Sequence, residues 1–331
     1  MKHRKTFRLG LVTAVVVGAL AVAGAAAPIA LAQTQQSAPP SGNISQYLEV
    51  SPPRYDLSIP SGQSVVREVT ITNKHIAPIT LRVAFDNMLA DGDQGGVKYT
   101  AEDTPWNLKS WATVDGPTEI TLNPRQSRKV SVTLQSPPNA APGGYYGMLR
   151  FTPTERSDLP PVAIQGQIAT IFLVRVPGPA VEQGSISEFF ATQTSGDRAG
   201  WLVVGNELML STLIKNEGNV HFATEPNFTA NAMFGGEALN LREEPQNVFP
   251  QAQRRFDADW KEIRTGYYTV KVKANLPGQP NAEKQFKVLI VTPTVALVTL
   301  GVLVVLLLWI GNKIRKRRKA RRAGSNAKPK A

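Results

Sequence analysis

One pattern occurs twice in this chain and constrains its fold more than any other feature. The first copy has a strand-like run ending at Asn73, a turn at Pro124 followed by an alternating run, and the segment PGGYYGMLRF. The second copy has a run ending at Asn216, a turn at Pro250 followed by an alternating run, and the segment TGYYTVKV. Because the parts follow in the same order, the sequence predicts two related modules in tandem. Their join is expected near residues 176–184, where Pro and Gly interrupt the strands.

Apolar and polar residues alternate in the runs that follow both proline turns. Each run places three apolar side chains on one face of a strand: Val130, Val132 and Leu134 in the first, and Phe256, Ala258 and Trp260 in the second. One apolar and one polar face is the pattern of antiparallel sheets, and many short strands between turn residues are typical of β-sandwiches. The sequence therefore predicts an all-β fold of two tandem Ig-like β-sandwich domains.

The repeated parts also predict how the strands are arranged. Strands 64–73 and 126–135 are expected to pair in one sheet, with the Gly-Tyr-Tyr strand in the opposite sheet. A tyrosine that follows such a glycine is expected to bond its hydroxyl to a nearby corner of the backbone, as in Ig-like domains.

The two ends of the chain predict its location. Basic residues at 2–8 precede an uncharged apolar run and the small-residue site Ala30-Leu31-Ala32, which is the pattern of a secretory signal peptide. Residues 288–311 carry no charge, and a helix of that length spans about 36 Å, enough to cross about 30 Å of bilayer hydrocarbon. The basic tail that follows marks the cytoplasmic side. The sequence therefore predicts a single-pass protein of the cell membrane with an extracellular N-terminal ectodomain and a cytoplasmic tail.

These signals set the expected domain boundaries. They are a signal peptide at 1–32, a linker at 33–46, β-sandwich domains at 47–177 and 178–287, a transmembrane helix at 288–311 and a basic cytoplasmic tail at 312–331. The segment LPGQP at 276–280 resembles a sortase signal, but Gln and Pro stand where Thr and Gly are expected. We interpret it as a hairpin loop.

Charge and cysteine content exclude several classes of protein. The net charge of +12 comes from the two basic ends, and the rest of the chain has slightly fewer Lys and Arg than Asp and Glu. A nucleic-acid-binding ectodomain would need a basic face, so no nucleic acid partner is expected, and the basic tail is expected to contact membrane lipid. The chain has no cysteine, so its exported domains must be stable without disulfides.

The first module is longer than the second between its asparagine and its proline turn, and the extra length is predicted to form a loop at 86–111. Loops on a rigid sandwich often carry binding residues. The candidate binding residues in this excursion are Asp91, Asp93, Tyr99, Trp106 and Trp111. The oxygen-rich, glycine-rich segment DNMLADGDQGG suggests calcium as an alternative, but it lacks EF-hand spacing, and Asp-Gly pairs are ordinary turn formers. At least one of the two tryptophans could instead fill the core.

No catalytic residue, cofactor site or metal site is predicted. His75 and His221 are scattered, whereas a zinc site needs three or four converging ligands. The chain contains neither a G-x-S-x-G nucleophile motif nor a glycine-rich phosphate loop. We therefore expect a protein that binds rather than an enzyme.

The segments LEVSPPRYDLSIPSGQSVVREVTITN, ADGDQGGVKYT, LKSWATV and PPNAAPGGYYGMLRF resemble the N-terminal domain of WxL-interacting proteins of Gram-positive bacteria. The resemblance covers most of 47–155, and the order of signal, two domains, span and basic tail is also similar. It implies an Ig-like domain associated with peptidoglycan binding, followed by a second Ig-like domain.

Two functions are therefore expected from the sequence. The first is a membrane-anchored cell-surface adhesion protein whose ectodomain binds cell-wall peptidoglycan or surface proteins. The alternative is a membrane-tethered chaperone or assembly factor that acts on surface subunits by β-strand addition.

Overall fold

The computed structural model describes residues 44–154 and 166–325. The predicted signal peptide at 1–32 lies outside these residues, as do residues 33–43 of the predicted linker and the last six residues of the tail. Within the described part, the chain consists mainly of β-strands and ends in one long apolar helix. The prediction of an all-β chain with a C-terminal helix is confirmed at this level.

The first ten strands form two facing sheets, which we call the N-terminal sandwich. They are β1 Leu48–Ser51, β2 Arg54–Ser58, β3 Ser64–Asn73, β4 Ile79–Asp91, β5 Gly96–Thr100, β6 Ala112–Asp115, β7 Glu119–Leu122, β8 Ser127–Gln135, β9 Gly143–Pro153 and β10 Ile168–Val176. One sheet has the order β1-β3-β8-β6, and the other has the order β2-β10-β9-β4-β5, with β7 also paired to β4. Strands β3 and β8 pair antiparallel, as predicted, and the Gly-Tyr-Tyr strand β9 lies in the opposite sheet.

The next ten strands form the C-terminal sandwich. They are β11 Gly184–Thr192, β12 Leu202–Val204, β13 Leu208–Asn216, β14 Phe222–Thr224, β15 Asn227–Ala232, β16 Gly236–Arg242, β17 Gln246–Val248, β18 Gln253–Trp260, β19 Gly266–Leu276 and β20 Gln279–Val291. One sheet has the order β11-β13-β18, the other has the order β12-β20-β19-β15-β16, and β14 pairs with β17. The segment LPGQP forms the β19–β20 turn, as predicted.

Each sandwich has its own hydrophobic core, built from the predicted alternation. Val130, Val132 and Leu134 on β8 are buried in the first core. Their counterparts on β18, including Phe256 and Trp260, are buried in the second. Period-two alternation therefore assigned the inward faces correctly.

The repeated asparagine performs the same task in both sandwiches. Asn73 is fully buried, and its side-chain amide donates to the carbonyls of Ala77 and Leu122, both at 2.9 Å. Asn216 is also fully buried and donates to the carbonyls of Val220 and Val248, both at 2.9 Å. Each amide therefore holds the end of its strand against the proline-turn segment, because a buried carbonyl needs a hydrogen-bond donor.

The two Gly-Tyr-Tyr segments use different tyrosines for the same contact: the first tyrosine of the pair in the first copy and the second tyrosine of the pair in the second copy. The Tyr145 hydroxyl donates to the Ala141 carbonyl at 3.0 Å, and the Tyr268 hydroxyl donates to the Arg264 carbonyl at 2.9 Å. Both rings pack against their cores. The predicted tyrosine-to-backbone bond therefore occurs twice, and the neighbouring Tyr146 and Tyr267 point away from the cores.

Two predicted boundaries and one predicted loop differ from the structure. Ile44 is buried in the first core, so the linker does not extend to residue 46 as predicted. The excursion at 86–111 is not a simple loop, because β4 continues to Asp91 and forms a hairpin with β5. Val288 and Ile290 are fully buried core residues of β20, so the predicted span cannot begin at 288.

The C-terminal helix α1 runs from Pro293 to Ser325, through the predicted span and into the basic tail. Its segment Pro293–Arg318 is long and apolar enough to cross a membrane, and none of its most apolar stretch is buried against the protein. Only Thr292 separates α1 from β20. The Thr292 backbone N–H donates to the Thr265 hydroxyl oxygen at 2.9 Å, so the start of α1 is bonded to a loop of the C-terminal sandwich.

Candidate functional site

The tip of the β4–β5 hairpin contacts the C-terminal sandwich. Asp93 Oδ2 lies 2.6 Å from Arg255 Nη2, and the Arg255 backbone N–H donates to the Asp93 carbonyl at 2.6 Å. Gly95, with φ of +75°, packs so closely on the Arg254 guanidinium that a Cβ would lie 2.2 Å from Arg254 Cζ. Both the backbone angle and the close approach require glycine here. The hairpin therefore braces one sandwich against the other.

A second contact between the sandwiches is centred on Tyr146 of β9. Its ring meets Phe249 edge-on, with centroids 5.5 Å apart. Its hydroxyl accepts the His221 backbone N–H at 2.8 Å and lies 3.1 Å from His221 Nδ1. The hydroxyl is thus placed to donate to Nδ1 of a neutral imidazole.

Burial keeps the imidazole of this contact neutral. Desolvation lowers the pKa of His221, and the Asp56 carboxylate, 3.6 Å from Nε2, opposes that effect without reversing it. Arg175 and Arg54 lower the pKa further. Desolvation also raises the pKa of Tyr146, so this hydroxyl keeps its proton. The pair is therefore a neutral, buried hydrogen-bonded contact near pH 7.

A third contact is made by Asn219, which precedes β14. Its side-chain amide donates to the Pro142 carbonyl at 3.2 Å, and its backbone carbonyl accepts from the Gly144 N–H at 2.9 Å. Its side-chain oxygen accepts from the Val181 N–H at 2.9 Å, in the segment that joins the sandwiches. Asn219 thus links the start of β9 to that connecting segment.

An apolar groove of about 250 Å³ lies between the hairpin and the C-terminal sandwich. Its lining combines hairpin residues, aromatic side chains and the turn after β17: Met88, Leu89, Ala90, Lys98, Trp106, Tyr146, Phe249, Pro250, Gln251 and Ala252. Strand β5, which contributes Lys98, is the edge of its sheet and pairs only with β4 in the described part of the chain. An extended peptide could add to this free edge and place alternate side chains in the groove.

The predicted binding residues do not form one cluster. Asp91 lies 3.3 Å from Lys98 in an exposed ion pair, and Asp93 is engaged with Arg255. Tyr99 is partly exposed on β5 and stacks on the Arg150 guanidinium at 3.8 Å. The hairpin therefore brings the first two into ion pairs, and both Asp91 and Tyr99 remain exposed to solvent.

The two predicted tryptophans have different environments. Trp106 is half-buried and lines the groove. Trp111 is only 7% exposed, and its ring packs on Tyr145 with centroids 4.1 Å apart. The prediction that Trp111 is a binding residue was wrong, because it fills the core of the N-terminal sandwich.

Three acidic residues of the excursion are paired with basic side chains of the protein itself, which argues against the calcium alternative. Asp86 is buried, and its carboxylate oxygens lie 2.9 Å from Lys109 Nζ and 2.5 Å from Arg150 Nη2. Burial raises the pKa of Asp86, but its hydrogen bonds to Lys109 and Arg150 outweigh burial and lower the pKa overall. Each of Asp86, Asp91 and Asp93 thus has a cationic side chain where a calcium ion would need to lie.

The sequence did not identify Tyr146, His221 and Phe249 as site residues. One signal was available, because adjacent tyrosines on a strand point to opposite faces, so one of each pair must leave the core. The partners of that outward tyrosine lie in the other sandwich and have no local signature.

The solved structures that match this chain include several chaperones. A chain from a chaperone–tip adhesin complex of CFA/I fimbriae is 14% identical, with 73% of this chain and 98% of that chain covered and a TM-score of 0.36. The CupB2 chaperone of Pseudomonas aeruginosa is 10% identical, with coverage of 73% and 100% and a TM-score of 0.33. The chaperone DraB of E. coli is 14% identical, with coverage of 72% and 96% and a TM-score of 0.31.

These findings correct the first functional prediction. Chaperones are named among the matched chains, whereas none of these three is named as a cell-wall-binding protein, and the prediction of a peptidoglycan-binding adhesion protein was wrong. No known protein family and no curated protein matches the sequence. The resemblance to WxL-interacting proteins, the absence of enzyme activity and the absence of cofactors stay predictions.

Proposed function

We propose that this protein is a membrane-tethered assembly factor that holds an extended segment of an exported surface protein by β-strand addition. In this proposal both sandwiches are Ig-like domains outside the cell, α1 crosses the membrane, and the basic tail lies in the cytoplasm, where Lys and Arg are favoured beside a span. The client is a surface subunit that has not yet completed its own sheet.

The free edge of β5 beside the apolar groove carries the proposal. An edge strand offers a row of backbone donors and acceptors that another chain can pair with. Main-chain hydrogen bonds then give affinity, while pockets for alternate side chains give specificity. Met88, Trp106, Tyr146 and Phe249 supply such a pocket, because all four line the groove next to Lys98 of this strand.

The brace between the sandwiches supports the same function. Binding that first has to order a mobile surface loses affinity to the entropy of that ordering. Asp93 at the hairpin tip contacts Arg255, and Tyr146 of β9 contacts His221, so both the hairpin and the neighbouring strand that line the groove are connected to the second sandwich. The groove is therefore formed before a client arrives.

The experiment uses the full-length chain in lipid nanodiscs and an array of 15-residue peptides that tile the exported proteins of the source cell. We expect a subset with alternating apolar residues to bind, and to protect the Gly96–Thr100 amides from hydrogen exchange. The absence of any saturable peptide binding by folded protein would sink the proposal.

A pair of proline variants makes the test specific to the edge. Along an edge strand, successive N–H groups point alternately into the sheet and outward, so Lys98→Pro and Tyr99→Pro remove one of each kind. We expect one variant to keep its melting temperature and lose peptide binding, and the other to lower the melting temperature. Two variants that both fold and both bind peptides like the unsubstituted protein would exclude β5 as the binding edge.

A further inference from the structure

Large apolar side chains are exposed at one end of the C-terminal sandwich. Before α1, eleven large apolar residues in the described part of the chain are exposed, and six of them lie at this end. The six, which we call the apolar rim, are Trp201, Leu202, Val204, Met233, Phe234 and Tyr267. Phe234 is 87% exposed and Trp201 is 73% exposed, and a cluster of exposed large apolar side chains marks a surface that interacts with another protein or with a membrane.

Strand register shows that the rim lies at the same end as the start of α1. Val204 is paired with Val291, the last residue of β20, and Leu202 is paired with Leu289. On the other side of β20, Leu289 is paired with Tyr267, whose carbonyl accepts the Met233 N–H at 2.9 Å. Leu202, Leu289 and Tyr267 thus form one row across the sheet. At about 3.3 Å per residue, this row is within roughly 10 Å of the end of β20 along the strand axis.

The polarity of this sheet face changes with distance from α1. The two rows nearest the helix contain Val204 with Val291, and then Leu202, Leu289 and Tyr267, whereas the next row on the same face pairs Thr269 with Lys287. Rows farther from the helix contain Lys271 and Glu283. A surface that is apolar near the helix and charged above it has the polarity order of a membrane interface.

We propose that the apolar rim is a lipid-binding surface that seats the C-terminal sandwich in the interfacial region of the bilayer. This inference rests on the membrane-spanning role of α1 in the proposed function. Interfacial segments bury apolar side chains about 5–10 Å into the headgroup and acyl boundary, and tryptophan and tyrosine are favoured at that depth. Lys287 lies one row above, where its ammonium reaches phosphate oxygens.

The short junction between β20 and α1 favours the lipid surface, rather than another protein, as the partner that covers the apolar rim. Only Thr292 separates the strand from the helix, and its bond to Thr265 fixes that residue to the sandwich. A helix that enters the bilayer at Pro293 therefore brings the rim to the headgroup region in every molecule. A protein partner would have to displace lipid from the rim.

The absence of cysteine in the chain allows a site-specific depth measurement. Single variants Phe234→Cys, Ile76→Cys and Leu303→Cys carry a nitroxide label in the full-length protein, reconstituted into vesicles of phosphatidylcholine and phosphatidylglycerol at 3:1. Ile76 is the matched control, because it is equally exposed but belongs to the N-terminal sandwich. Leu303 reports on the span.

We expect the label at 234 to be several-fold more accessible to oxygen, relative to a water-soluble nickel chelate, than the label at 76. Changing Met233 and Tyr267 to Ser should return the label at 234 toward the value at 76, while the label at 303 stays deep. Equal values at 234 and 76 with a deep label at 303 would overturn the lipid seat alone. A label at 303 that faces water would overturn both the membrane span of α1 and the lipid contact of the apolar rim. A label at 234 in lipid, together with the absence of peptide binding, would overturn only the assembly function.

Discussion

The hydroxyl of Tyr146 lies 3.1 Å from Nδ1 of His221 and accepts the backbone N–H of the same histidine at 2.8 Å. Tyr146 belongs to the N-terminal sandwich and His221 to the C-terminal one. One phenol oxygen therefore satisfies two buried polar groups of the other sandwich, and this contact depends on a neutral imidazole.

The stability of the protein is expected to decrease as pH falls below about 6.5, the pKa of histidine in an unfolded chain. Desolvation lowers the pKa of His221 in the folded state, so the unfolded chain binds the proton first and is favoured at lower pH. The contribution is complete above pH 7 and is lost as pH falls toward the folded-state pKa. Melting temperatures between pH 7.5 and 5.5 measure the effect. His221→Asn is the control and should show a flatter profile, whereas identical profiles would contradict the prediction.

Tyr146→Phe is expected to destabilise the protein by about 1–3 kcal/mol, because it leaves a buried N–H and a ring nitrogen of His221 without a partner. Urea unfolding of the full-length protein in nanodiscs provides the measurement. Tyr267→Phe is the matched control on the equivalent strand β19 and should change stability by less than about 0.5 kcal/mol, because Tyr267 is exposed. A similar small change for both variants would show that the Tyr146 hydroxyl does not stabilise the fold.

Asn73→Ala and Asn216→Ala are each expected to cost about 3 kcal/mol, since each removes the side-chain donor for at least two carbonyls that meet at a buried strand end. The two losses should be similar, because both amides make equivalent bonds. Asn240→Ala, at an exposed position of β16, serves as the control. A large loss for only one of the two buried asparagines would contradict the structural equivalence of the repeats.

A double-mutant cycle on Asp93→Asn and Arg255→Gln should give a coupling energy of about 1 kcal/mol, because both side chains are largely shielded from water. The exposed pair Glu68 and Lys129 is the control and should show no measurable coupling. Thermal unfolding of the four proteins in each cycle provides the values. Additive effects of Asp93 and Arg255 would show that the hairpin tip does not brace the second sandwich.

The elements that could be predicted from the sequence are those that a local pattern determines. The inward faces of β8 and β18 follow from alternation over a few residues, and the β3–β8 pairing follows from the repeat. The environment of Trp111 could not be predicted in this way, because its neighbour Tyr145 is distant in sequence. A tryptophan in an apparent loop has no local signal that separates a core residue from a surface residue.

The candidate site was harder to predict than the fold, for the same physical reason. Asp93 and Arg255 belong to different sandwiches, and their contact depends on how far the β4–β5 hairpin projects. An Asp-Gly-rich segment is equally consistent with a cation loop and with a hairpin tip. Only the arrangement of the two sandwiches shows that the positive charge beside Asp93 comes from Arg255 and not from a bound cation.

The direct passage from β20 into α1 determines how the protein bears a mechanical load. In the proposed function, a client that pulls outward while α1 is held in the lipid would stretch β20 along its own axis. The hydrogen bonds of an antiparallel ladder are perpendicular to that axis, so those joining β20 to β19 are strained together rather than one at a time. In that proposed arrangement, the strand that precedes α1 would be loaded in shear, the direction in which a long ladder is hardest to break.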